Sequence, residues 1–219
     1  MIELTSIQQA AVWIIPVLFA ITVHEAAHGW VAYKLGDTTA KMLGRLTFNP
    51  IKHIDPVGTI AVPILVLVLS NYSFVFGWAK PVPINSNNFR KPRRDMALAT
   101  AAGPASNLLM AIFWAIVLKL ATFLNPAQSA AALFMLLSAR AGILINLLLA
   151  YLNLIPIPPL DGSRIVASLL PARYAMVYQK IEPFGFFILL AMMLTGVLNW
   201  ILTPLMKGSL QAISSLLNI

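Results

Sequence analysis

The amino-acid sequence predicts an all-α polytopic membrane protein, a bundle of about four to six transmembrane helices that also carries a small membrane-associated β-hairpin or sheet. Three observations support this. Of its 219 residues 59% are hydrophobic and 10% charged, against roughly 25% charged in soluble domains, and mean hydropathy is +0.83. Several apolar runs reach the roughly 20 residues that a helix rising about 1.5 Å per residue needs to cross a hydrocarbon core. The basic residues, finally, gather on segments that share one membrane side under an alternating topology.

The first span covers about residues 7–35, the second 96–124 and the third 129–154. The short turn at 125–128 makes the second and third antiparallel neighbours. A further span follows at about 184–200, and 204–219 is short for a crossing, which suits an interfacial or tilted last helix. Between 36 and 95 the character changes: 42–48 and 77–85 read as short strands or hairpins. The apolar run 57–76 has basic residues on both flanks, Lys34, Lys41, Arg45 and Lys52 before it and Lys80, Arg90, Lys91, Arg93 and Arg94 after it. It is therefore expected to enter and leave on one side as a re-entrant segment. Adding Arg164, Arg173 and Lys180 gives twelve basic residues on that side against Lys119, Arg140 and Lys207 elsewhere. This topology puts the N-terminus and the 125–128 turn outside, with Lys119 and Arg140 snorkelling to the outer interface. The simplest division is one membrane-embedded domain, 1–219, with a core at 7–170 and C-terminal helices at 183–219. A cleaved signal peptide is not expected, because MIELTSIQQ lacks a basic start.

Composition also excludes chemistry. The chain has no cysteine, so disulfides, thiolate metal sites and cysteine nucleophiles are out and any metal must use His, Asp or Glu. The net charge of +8 in a polytopic chain marks loops facing anionic lipid rather than nucleic acid, and no nucleic-acid partner is expected.

Near the inner end of the first span stands His24-Glu25-Ala26-Ala27-His28. On a helix, residues i and i+4 project together, so two imidazoles one turn apart can reach one zinc ion, with Glu25 beside it as catalytic base. In a soluble helix such a motif also arises by chance. Inside a membrane each such group costs roughly 2.5 to 3.5 kcal/mol on insertion scales, and a metal ion compensates them together. A catalytic zinc takes three protein ligands, and few candidates remain. Glu3 lies at the wrong end of the first helix; Asp37, Asp55 and Asp95 suit solvated or capping roles; Glu182 precedes a proline; and His53 reads as structural or supporting. Asp161 follows Pro156, Pro158 and Pro159 on an arm that cannot be a regular helix, and Gly162 permits a turn after it. Alone, PIPPLDG reads as a helix terminator and turn. Beside an intramembrane HExxH that lacks a third ligand, it becomes the leading candidate for that ligand. Ala99, Gly103 and Asn107 recur every four residues at the start of the second long span; the small ones suit close packing, and Pro104 can bend the helix. Asn107 and Asn153 need partners within a span, either a neighbouring helix or a substrate backbone.

Together, the HEAAH helix, GPASN at 103–107 and NLIPIPPLDG at 153–162 resemble the site-2 protease family of intramembrane zinc metalloproteases, over about residues 10–170. HIDPVGT at 53–59 and GWAKPVPIN at 77–85 look like the compact bacterial branch without PDZ or CBS domains. The resemblance implies one zinc per chain on His24, His28 and Asp161, with Glu25 as base, and hydrolysis of peptide bonds within or near transmembrane segments of membrane-protein substrates. Asn153 would then steady the oxyanion. Substrate must unwind to expose its peptide bonds, and strand-like residues 41–49, Gly44 among them, are expected to receive it by edge addition. Partners are thus a transmembrane substrate and the lipid bilayer, and the positive-inside pattern favours a bacterial plasma membrane with the active site toward the cytoplasm. Three other classes stay open at this point. A prenyl-protein-type protease would want a glutamate ligand on another helix, a metal-binding transporter would want further acids or histidines along a path, and an inactive scaffold would leave the metal residues without a use.

Overall fold

The computed structural model describes residues 5–62, 65, 77 and 79–217. Helix α1 spans Ser6–Lys34. Thr5 Oγ1 accepts from the Gln8 amide at 3.3 Å and Gln8 Oε1 from the Thr5 amide at 3.0 Å, a reciprocal cap that satisfies two amides a helix start leaves open. Short α2, Thr39–Met42, comes next, followed by a 3-10 turn at Pro50–His53, a π turn at Pro56–Ala61 and a 3-10 turn at Ser86–Asn88. The long helices α3, Pro92–Phe123, and α4, Ala130–Leu154, are joined through Asn125 at φ 53°, a left-handed conformation that asparagine tolerates. The rest comprises α5 at Asp161–Leu169, α6 at Ala172–Gln179, a 3-10 turn at Glu182–Phe184, α7 at Gly185–Leu194 and α8 at Val197–Leu217. Among the described residues, four segments are long and apolar enough to cross a membrane: Ile7–Lys34, Pro92–Phe123, Ala130–Leu154 and Ala172–Leu194.

Helices α1, α3 and α4 form the packed centre, with α3 and α4 the most extensive pair. Ala111, Trp114 and Ala115 of α3 meet Ala139, Ile143 and Leu147 of α4. Lipid offers no hydrophobic force to press helices together, so close packing of small residues does this work. Gly142 shows how close: a Cβ there would lie 2.3 Å from the Trp114 ring.

Two expectations change. Among the described residues there is no strand, which overturns the β-hairpin at 42–48 and 77–85 and, with it, edge addition at 41–49. The physical reason is competition for backbone groups. Residues 41 and 42 belong to α2, and Gly44 turns the chain at φ 63°. Pro81 and Pro83 have no N–H to give a ladder. Arg45 Nη2 donates to the carbonyls of Lys80 and Pro81 at 2.8 and 3.4 Å, and the Val82 amide goes to Glu25. The bounds of the last two helices also shift. Gly196, at φ 77°, ends the preceding run, and α8 is one helix with Pro204 inside it rather than a short piece starting there. Most of the expected re-entrant segment 57–76 lies outside the described residues; its start is the π turn, capped by Asp55 Oδ1 on the amides of Val57 and Gly58 at 2.9 and 3.0 Å.

Candidate metal centre

Alternation of α1, α3 and α4 brings the C-terminal part of α1, the N-terminal part of α3 and the arm after α4 to one end of the bundle. His24 and His28 are buried on α1. Asp161 opens α5, after an irregular arm with a cis bond between Pro158 and Pro159. Gly162 lets that arm fold back, since a Cβ there would lie 2.4 Å from the Leu154 carbonyl oxygen and 2.5 Å from that of Ile155. Asp161 Oδ2 consequently stands 3.1 Å from His24 Nε2 and 3.2 Å from His28 Nε2, and the two Nε2 atoms are 3.0 Å apart.

The surrounding hydrogen bonds fix which ring nitrogens face inward. Asn107 Nδ2 donates to the Ala20 carbonyl at 3.2 Å and to Asn146 Oδ1 at 2.9 Å. A carbonyl only accepts, so Asn107 must present Oδ1 to His24, whose Nδ1–H donates to it at 2.5 Å. Asn146 is held in turn by donating to the Gly142 carbonyl at 2.8 Å. By the same logic His28 Nδ1–H donates to the Ala99 carbonyl at 2.8 Å. Both Nε2 atoms therefore carry lone pairs toward Asp161. Three electron-rich atoms at such spacing repel unless positive charge lies among them. A proton serves one pair at a time, while a metal serves all three, and tetrahedral zinc with bonds of about 2.0–2.1 Å wants its ligands roughly 3.3 Å apart. His24, His28 and Asp161 are a group that can hold a metal ion.

Glycine again makes the room. A Cβ on Gly103 would lie 2.3 Å from His28 Nε2 and 2.7 Å from His24 Cε1, so α3 can back the imidazoles only without a side chain there. Glu25, half-buried between the histidines, accepts the Val82 amide on Oε2 at 2.7 Å.

Residues 120–196 match the model of peptidase family M50. The chain is also 39% identical over 211 residues to "Putative zinc metalloprotease YwhC" of Bacillus subtilis (strain 168), an alignment covering 93% of this chain and 89% of that protein. The chain belongs to peptidase family M50. "Putative zinc metalloprotease Rip2" of Mycolicibacterium smegmatis is 29% identical to the M50 peptidase over 182 residues, 83% of this chain and 66% of the relative. Its namesake from Mycobacterium tuberculosis (strain ATCC 25618 / H37Rv) is 27% identical over the same shares. No solved structure matches. As a member of this site-2 protease family, and with four segments able to cross a bilayer, the chain is an integral membrane zinc metalloprotease.

The other residues singled out in the sequence lie around this centre unevenly. Asn107 touches His24. Asn153 donates from Nδ2 to the Leu149 carbonyl of its own helix at 3.0 Å, and Gly44 sits in the exposed turn after α2. His53 Nε2 bonds the Thr47 carbonyl at 2.9 Å. Asp37, Asp55 and Asp95 accept from backbone amides in loops and at a helix start. Sequence reasoning missed Asn146, the Ala99 carbonyl and the Val82 amide. Asn146 had a visible signal, as a polar amide in the middle of an apolar span, and so had Val82, whose N–H stands alone between two prolines.

Proposed function

We propose that this M50 peptidase cleaves peptide bonds of membrane-protein substrates within or near their transmembrane segments, with His24, His28 and Asp161 holding zinc and Glu25 as general base. The observation that carries the reading is the convergence of two Nε2 lone pairs and one carboxylate oxygen within 3.2 Å, next to a carboxylate that none of them uses. Zinc bound there supplies a Lewis acid that polarises the scissile carbonyl and makes water nucleophilic near neutral pH. Glu25 takes the proton of the attacking water on its carboxylate and returns it to the leaving amine. Asn107 holds His24 in the tautomer that turns Nε2 inward, and the Ala99 carbonyl does the same for His28. The prolines and Gly162 aim Asp161. Asn153, in the last turn of α4, is available to steady the oxyanion through rotation of its amide. The excess of Lys and Arg on the segments around this end supports a cytoplasm-facing active site in a bacterial plasma membrane.

The test compares zinc content and cleavage of a transmembrane reporter in wild type, Asp161→Ala and Glu25→Gln. We expect about one zinc per chain in wild type and Glu25→Gln, zinc loss in Asp161→Ala, and no cleavage by either variant. Full zinc in Asp161→Ala, or wild-type cleavage by Glu25→Gln, would contradict the corresponding role.

A further inference from the structure

The strap formed by residues 79–88 has no place in the roles given so far, yet its one free-standing amide is aimed at the reacting machinery. Pro81 and Pro83 have no N–H, so Val82 carries the sole backbone donor of the three. That donor is buried, the residue being 5% exposed, and it reaches Glu25 Oε2 at 2.7 Å. An N–H so enclosed must find an acceptor. Among the described residues no other hydrogen bond to the Glu25 side chain is present, which leaves Oε1 for water.

The strap is held on both sides of Val82. Upstream, the Lys80 amide donates to the His53 carbonyl at 2.9 Å, and Arg45 Nη2 grips the carbonyls of Lys80 and Pro81. Downstream, buried Asp37 accepts the Asn85 amide at 2.7 Å and Asn88 Nδ2 at 2.8 Å. On α1 the approach is open because Gly29 follows Glu25 by one turn: a Cβ there would lie 3.0 Å from Val82 Cγ1. Clamp, strap and glycine together deliver one amide to one carboxylate oxygen.

We infer that the Val82 main-chain amide is a positioning group for the reaction, holding the Glu25 carboxylate in place, with Arg45 and Gly29 setting the strap at the distance this needs. The inference rests on the reading of Glu25 as the base. Fixing the carboxylate through Oε2 directs Oε1 to the attacking water and removes the rotation that a half-buried glutamate would otherwise have, which raises turnover rather than substrate affinity.

Because the group is backbone, Val82→Pro removes the donor while suiting an extended chain, and Val82→Ala keeps the donor while removing the side chain. In detergent-purified full-length protein with a transmembrane reporter peptide, we expect Val82→Pro to lower kcat about 10–100-fold, as lost supporting partners do, with KM little changed and zinc retained. Val82→Ala should keep a kcat well above that of Val82→Pro. Equal kcat in the two would assign the effect to packing and overturn the inference. A second measurement does not depend on activity or on how Val82→Pro folds. In protein labelled with 15N-valine, the Val82 amide resonance, identified by its loss in Val82→Ala, should move upfield in Glu25→Ala, and an unmoved resonance would also overturn it. Wild-type kcat in Glu25→Gln would instead remove the base role, whereas an inactive Glu25→Gln beside a fully active Val82→Pro would remove the positioning role alone.

Discussion

Around the metal centre, α1, α3 and α4 bury Asn107, Asn146 and two histidines against alanines and glycines, whereas Ala172–Leu194 and the start of α8 turn Phe187, Leu194 and Trp200 outward, each at least 65% exposed. Both regions are helical and apolar, but different physics fixes them. In the first, polar groups in a low-dielectric interior must find one another, and glycine and alanine set how closely the backbones approach. In the second, side chains only have to be lipid-compatible. Position is therefore tightly specified at the centre and loosely at the C-terminal end, and substitutions should separate the two.

Gly103→Ala should have the largest effect. Its new Cβ would fall where the two imidazoles lie, so zinc affinity should drop beyond the about 10–100-fold typical of a lost supporting group, as read by competition with a chelating dye. Asn107→Ala comes next: His24 loses the partner that fixes its tautomer, and zinc affinity should fall by about 10–100-fold with the helices intact by circular dichroism. Unchanged affinity would mean that His24 is held by packing alone. Smaller still, Gly142→Ala should destabilise the α3–α4 pair by about 1–3 kcal/mol through overpacking against Trp114, while Trp200→Ala in the outer region should stay within about 0.5 kcal/mol. Thermal unfolding in one detergent compares the two directly, and equal losses would erase the contrast between the regions.

The same contrast explains what the sequence made legible. His24, Glu25 and His28 stood out because charged and metal-binding groups are costly in a span and so demand a reason, and Asp161 stood out because that motif lacked a third ligand and the proline-rich arm after the third span presents one acid. The order of α1, α3 and α4 followed from apolar runs and the turn at Asn125. The strap at 79–88 did not follow. Its alternating pattern resembles a strand, but Arg45, Asp37 and Glu25 take the backbone groups that a sheet would use, and such side-chain competition leaves no periodic trace. The break at Gly196 was missed for a related reason: apolar runs on both sides hide where one helix ends and the next begins.

The most direct test is zinc K-edge X-ray absorption of the purified full-length protein beside Asp161→Ala. The account predicts two imidazoles and oxygen ligands at about 2.0–2.1 Å in wild type, and a site that loses its zinc when Asp161 is removed. A zinc site with a third imidazole, or one unchanged in Asp161→Ala, would contradict it.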